Sequence, residues 1–205
     1  MKEFWNQRYG AEDFAYGRRP NRYFAAHLHD VEPGKILLVA EGEGRNAIFA
    51  AQNGWDVSAC DLSEEGQEKA LAWAKKEGLD LRYDLGDFGA IDYPKKSFDA
   101  LGLIYAHFPP HLKADYLQKA AELIKPGGLL LLEGFAKGHT AYQEKNPTVG
   151  GPKNVEMLFD KEEMLKIFAD FEFSILKEEV IELQEGLYHN GEAKVLRIMA
   201  QKKGN

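Results

Sequence analysis

The chain has 205 residues, with 26 Lys and Arg against 33 Asp and Glu, for a net charge of −7. That length fits one domain that can bury a core unaided, and the lone cysteine, Cys60, excludes an intrachain disulfide framework and suits a reducing, cytoplasmic setting. The basic residues lie scattered among acids and the longest apolar run, around 129–132, is far too short to span a bilayer, so neither nucleic acid nor membrane is an expected partner.

Residues 2–9 read as a short amphipathic helix, after a start, MKEFWNQRYG, that shows no signal-peptide pattern. AEDFAYGRRPN reads as a loop, and 20–29 as a second helix with Asn21 near its cap. EPGK is a turn into a buried strand at 35–39, followed by a helix over 44–53 that Gly54 stops. A strand at 55–60 leads to a long helix capped by Ser63, with Glu64 and Glu65 in its first turn, ending near Gly78. Strands follow at 80–83 and 98–104, then a helix from Pro110 to 124 halted by KPGG, and an apolar strand at 129–133. Residues 136–156 are expected to be a long polar loop, and Asp160 caps a helix to about 169. Two strands, 173–183 and 193–201, are joined by QEGLYHNGE and should pair antiparallel. Alternating strand and helix with a closing hairpin predicts an α/β, Rossmann-like doubly wound sheet of seven strands, mostly parallel with the last antiparallel. Ligands of such sheets sit in the crevice at the carboxyl ends of the strands.

The residues with chemical character fall on that edge. Gly42 and Gly44 lie between the first strand and the first helix of the alternation, where glycine allows a positive φ and a close ligand approach. GEGRNA matches G-x-G-x-x-A, a pattern that plain strand-to-helix turns also show. Glu41 and Glu43 would set two negative charges beside a diphosphate, so a ligand with a cationic end, such as S-adenosylmethionine, suits the turn better. Asp61, roughly twenty residues on, can accept both ribose hydroxyls, although it could also cap the next helix. Asp87 and Phe88, flanked by Gly86 and Gly89, could receive an adenine amino group and ring, or form an ordinary turn.

Together these stretches make the chain resemble class I S-adenosylmethionine-dependent methyltransferases over nearly its full length. LLVAEGEGRNAIFAAQNGWDVSACDLS is similar to their first two motifs, DLGDF to the adenine loop, SFDALGLIYAHFPP to the fourth strand and LIKPGGLLLLEGF to the stretch into the fifth. FWNQRYGAEDFAYGRRPN and GEAKVLRIMAQKK most resemble the tellurite-resistance and thiopurine methyltransferase-like branch. The resemblance implies S-adenosylmethionine held by Ala40, Glu41, Gly42, Glu43, Gly44, Arg45, Asn46, Asp61, Leu62, Gly86, Asp87, Phe88, Ile104 and Tyr105. It implies one domain over 1–205, with 1–30 an amino-terminal helical lid and 136–156 a substrate-side loop. The family usually has an acidic residue two before the first motif glycine, and three glycines; here those places hold Leu38 and Ala40, and Glu41 is expected to take over the charge toward the cofactor's cation.

Methyl transfer from a sulfonium needs alignment and exclusion of water, plus a base for a hard hydroxyl or amine acceptor and none for a soft anion such as a thiolate, selenide or tellurite. His107, just past the fourth strand, is the candidate base, or else a helix cap. Tyr16, Arg18, Arg19, His139, Tyr142 and His189 are the candidates on the substrate side, the alternative being solvated loop residues; the arginines could hold an anion. No Cys, His or carboxylate cluster has metal-ligand spacing. The expected activity is methylation of a small soft or anionic acceptor, a thiol or a selenium or tellurium oxyanion, by a monomer or homodimer. A nicotinamide-dependent oxidoreductase and a non-catalytic S-adenosylmethionine or S-adenosylhomocysteine sensor are the alternatives.

Overall fold

The computed structural model describes residues 1–204. Seven strands form one sheet in the order β3-β2-β1-β4-β5-β7-β6. They are β1 Lys35–Val39, β2 Asp56–Asp61, β3 Arg82–Leu85, β4 Phe98–Ile104, β5 Ile124–Phe135, β6 Phe171–Glu185 and β7 His189–Lys202. The first five pair in parallel, and β7 runs antiparallel to both β5 and β6, as the sequence predicts.

Strand periodicity places the helices. Leu37, Val39, Leu101, Leu103, Leu130 and Leu132 point to one face, where α5 Pro110–Leu123 and α7 Lys161–Ile167 bring Leu117, Ala120, Ala121 and Met164. Ile36, Leu38, Val57, Ala59 and Leu131 point to the other, covered by α2 Arg22–Leu28, α3 Arg45–Gln52 and α4 Glu64–Glu77 through Phe24, Leu28, Ala47, Ile48, Ala70 and Ala74. The ends of these helices follow local chemistry: Asn21, Ser63 and Asp160 accept cap hydrogen bonds from Phe24, Gly66 and Glu163, and Gly78 closes α4 in the left-handed region. α1, Lys2–Tyr9, lies along the start of α4, where Asn6 Oδ1 accepts from the Ser63 hydroxyl and the Glu64 amide.

Two expectations need correction. Residues 136–156 are not a featureless loop: they contain α6, Thr140–Lys145, and two 3-10 turns, Pro147–Val149 and Val155–Met157. Val149 and Leu158 bury against Phe135, Leu183, Ala193 and Val195, so this polar segment is pinned by a few apolar residues. The hairpin is also longer than its sequence pattern, because polar residues alternate with apolar ones right up to a turn at 186–188. Its length matters: Val195 already pairs with Phe135, the last residue of β5, so residues 189–194 and 180–185 project past the carboxyl edge of the sheet.

Candidate active site

The crevice lies between the ends of β1 and β4, where the strand order reverses. Two non-glycine residues there have left-handed backbones: Ala40 (φ 55) after β1 and Tyr105 (φ 53) after β4. Such conformations cost about 1–3 kcal/mol and gather at functional sites. Gly42 (φ 60) and Gly44 (φ 85) complete the turn into α3.

Glu41 does not face outward toward a ligand. Its Oε1 accepts the Asn46 and Ala47 amides, both at 2.8 Å, and its Oε2 the Asn46 side-chain amide at 3.2 Å. Burial raises its carboxyl to about 7, against the pull of those hydrogen bonds. The helix N-terminus, the natural seat of a phosphate, is therefore filled by the protein's own carboxyl group. Glu43 is engaged too: it accepts the Ala15 amide at 2.8 Å and pairs with Lys69 at 2.9 Å. Lys69 also donates to the Ala11 and Asp13 carbonyls, so this pair clasps the amino-terminal segment over the turn. Underneath, the Tyr9 phenol packs directly on Gly42, 2.5 Å from where a Cβ would stand.

Asp61, at the end of β2, accepts the Gly42 amide at 3.0 Å and the Ser63 amide at 2.8 Å, one on each oxygen. Each oxygen retains a lone pair for a hydroxyl, and burial raises the carboxyl despite these bonds. Leu62 follows, half-buried. Beyond β3, Gly86 turns the chain (φ 151) and Asp87 Oδ1 accepts from the Gly89 amide and the Tyr116 phenol, which leaves Oδ2 without a partner among the described residues. Phe88 is buried against Phe108 and Tyr116, on the core side of its loop. Ile104 is buried at the end of β4.

The structure separates the histidines. His107 holds the Met157 carbonyl with Nδ1 (3.0 Å) and accepts the Phe135 amide at Nε2 (3.0 Å), and burial lowers it to about 3. With both nitrogens committed to backbone, it ties β4, β5 and the 155–157 turn together and has none free for a substrate proton. His139 does the same between Gly150 and Lys194. His189 differs. Its Nδ1 lies 3.3 Å from Glu185 Oε2 and its Nε2 has no partner among the described residues. Its ring sits 4.4 Å from that of Tyr16 and 4.5 Å from that of Tyr105. Tyr142 stacks on His139 at the rim of this segment. Arg18 lies over Phe14 (4.4 Å) and Trp73 (5.4 Å), and both it and Arg19 are exposed.

Two buried carboxylates escaped the sequence reading. Glu185 accepts from Arg45 at 2.9 Å and from Asn21 at 3.2 Å. Burial pushes its carboxyl up, but Arg45 and His189 outweigh that and hold it at about 2. Glu133, 1% exposed, receives Asn21 (2.6 Å), Tyr105 (3.1 Å) and Arg197 (2.5 Å). A cavity of about 150 Å³ opens beside Asn21, Glu133, Glu185 and Arg197.

Residues 36–128, which hold the turn, Asp61, Asp87 and Tyr105, match the family described as a methyltransferase domain. Over that stretch the chain resembles a methyltransferase domain. It is similar to a sterol 24-C-methyltransferase of Gibberella zeae, 33% identical over 61% of this chain and 36% of that protein. The chain thus spans about a third of the length of the curated relatives it matches. Among solved structures it resembles TehB from Haemophilus influenzae, with TM-score 0.73 and 18% identity over 98% of this chain and 67% of that one. It also resembles a protein solved for the conversion of a disulfide bond into a thioacetal group during echinomycin biosynthesis, with TM-score 0.74 and 17% identity over 100% and 93% of the two chains. These two establish the fold. S-adenosylmethionine is the cofactor of such a domain, and the residues present fit it. Asp61 and Asp87 keep free lone pairs for hydroxyl and amino donors, and the helix N-terminus that a pyrophosphate would need is filled by Glu41.

Proposed function

We propose that this protein transfers the methyl group of S-adenosylmethionine to a small, soft acceptor, a thiol or a selenium or tellurium oxyanion. The observation that carries the proposal is the glycine turn, whose helix amides are satisfied by Glu41 beside a ribose-type acceptor, Asp61. A phosphate-bearing dinucleotide would have to evict that carboxyl; a sulfonium nucleoside would not. The cofactor supplies an electrophilic methyl, and the protein's part is to align the acceptor and exclude water. The covered crevice, closed by residues 1–19, by 140–151 and by the projecting hairpin, supports a small acceptor over a macromolecular one. Tyr9 packed against Gly42, with Lys69 clasping residues 11–13, supports a lid role for the amino-terminal segment, which must shift for the cofactor to reach the turn.

Isothermal titration with S-adenosylmethionine, S-adenosylhomocysteine and NAD tests the reading. Micromolar binding of the first two without NAD is expected, followed by turnover in a screen of thiols, selenite and tellurite. Binding of NAD alone sinks it. Binding of both nucleosides with no turnover on any acceptor would favour a sensor.

A further inference from the structure

The projecting end of the hairpin does something the fold does not require. It carries a carboxylate and an imidazole, Glu185 and His189, as cross-strand partners to the mouth of β4. Glu185 is fixed from three sides, by Arg45 at 2.9 Å, by Asn21 at 3.2 Å and by His189 at 3.3 Å. A carboxylate at Nδ1 selects the tautomer with the proton there and directs the Nε2 lone pair outward. The other two buried histidines of this region use both nitrogens on backbone groups; His189 alone keeps one free. Tyr16, Tyr105 and Phe135 wall its ring. Gly150 (φ 79) lies beside the Cδ2–Nε2 edge, where a Cβ would stand 2.8 Å from His189 Cδ2, 3.3 Å from Nε2 and 2.5 Å from the Tyr188 carbonyl. The segment over the histidine is therefore cut to approach it closely.

We propose that His189 is the proton acceptor of the methyl transfer and Glu185 its positioning residue, so that the acceptor is a neutral molecule bearing an X–H group beside an apolar or aromatic body. This rests on the methyltransferase reading and narrows its acceptor to the protic class, which sets oxyanions aside. In the step, the X–H proton passes to Nε2 while X attacks the sulfonium methyl. The X–C bond forms, the C–S bond breaks, and its electron pair stays on sulfur to give S-adenosylhomocysteine. The imidazolium, balanced by Glu185, then loses its proton to water. The titratable or charged groups facing the ring are Glu185, Arg45, Arg8, Tyr16, Tyr105 and His107. Burial lowers the imidazole's pKa and Glu185 opposes this, so His189 is neutral and able to accept at pH 7.

The test uses the full chain with S-adenosylmethionine and three probes: benzyl mercaptan and catechol, which are protic, and selenite, an oxyanion. Methylation of a protic probe is expected, with kcat lowered about 10²–10⁴-fold in His189→Gln at unchanged affinity for S-adenosylmethionine. Glu185→Gln is expected to lower kcat and to move the acid limb of the pH profile downward, since the imidazole loses the charge that supports its proton; a merely structural role would leave that limb in place. Thermal melts check that both variants fold. Nitrogen-15 NMR of the wild-type ring should show the Nδ1–H tautomer whatever the acceptor. Full kcat in His189→Gln, turnover of selenite alone, turnover of no probe by cofactor-binding protein, or the Nε2–H tautomer would each overturn the proposal. Failure of the wild type to bind S-adenosylmethionine would instead overturn the methyltransferase reading beneath it.

Discussion

Ala→Gly substitutions ordinarily destabilise, and Ala40→Gly is expected to do the reverse. Ala40 has φ 55, in the left-handed region, which costs a residue with a Cβ roughly 1–2 kcal/mol. Its methyl group is exposed, so removing it leaves no cavity. Glycine meets the same backbone without steric cost but adds freedom to the unfolded chain, worth about 0.4–1 kcal/mol against folding. The difference is a net gain of about 0.5–1 kcal/mol, or about 1–4 °C in Tm for a domain of this size. The control is Ala72→Gly, an exposed residue within α4, where the same change should cost about 1 kcal/mol. Urea unfolding followed by far-UV circular dichroism gives both midpoints. If Ala40→Gly falls with Ala72→Gly instead of rising above wild type, the left-handed backbone at position 40 carries no strain and the reasoning fails.

Other outcomes follow from the turn and its cover. Burial raises the Glu41 carboxyl to about 7 from its ordinary 4.5, so the unfolded chain gives up this proton more readily, and stability due to this group declines as pH rises between those values. Glu41→Gln should flatten that decline when unfolding free energy is measured from pH 4 to 8; parallel curves for the two proteins would contradict it. Lys69→Met removes the donor to Ala11, Asp13 and Glu43, and should speed amide exchange over residues 10–16 while leaving the sheet protected. Asp61→Asn weakens the ribose acceptor and should lower S-adenosylmethionine affinity about 10–100-fold, read by titration calorimetry. Phe159→Ala empties a fully buried site and should cost about 3–5 kcal/mol by urea denaturation.

The core of the fold was legible because it rests on local signals. The short, nearly continuous apolar runs at 35–39 and 98–104, and caps such as Ser63, Gly78 and Asp160, act within a few residues of where they are written. What escaped depends on partners far along the chain. KPGG reads as a stop, yet β5 begins at Ile124 and takes KPGG in as a bulge: pairing with β4 steps from Phe98–Ile124 to Ala100–Leu129, and Gly127 has φ 79. Glu185 and His189 read as hairpin-loop residues because nothing near them in sequence announces Arg45, 140 positions away. A signal did exist for Glu133: a carboxylate ending the run LLLLE must find a partner, and Arg197, the lone charge within VLRIMA, pairs with it in register across β5 and β7. Glu41 was misread for a related reason. Its place beside the turn is visible in the sequence, but that its side chain folds back on the amides of α3 is not.

Glu185 also shows why the hairpin overshoots the sheet. A buried ion pair is a poor source of stability, because desolvation cancels most of the attraction. The Arg45–Glu185 pair, about a tenth exposed on each side, is therefore not explained by stability. What it does is geometric. Glu185 touches Asn21, which caps α2 and bonds Glu133; Arg45, the first residue of α3 after the glycine turn; and His189, at the start of β7. Arg45 in turn donates to the Tyr16 carbonyl in the covering segment. The glycine turn, the amino-terminal segment and the hairpin thus share one carboxylate, and on the proposed function a shift of residues 1–19 to admit a nucleoside disturbs the support of His189 at the same time. A double-mutant cycle on Arg45→Lys and His189→Gln reads that sharing. A coupling of about 0.5–3 kcal/mol in unfolding free energy, measured by urea denaturation, is expected if Glu185 links them. Strict additivity would show that turn and histidine are independent and that the overhang serves only to cover the crevice.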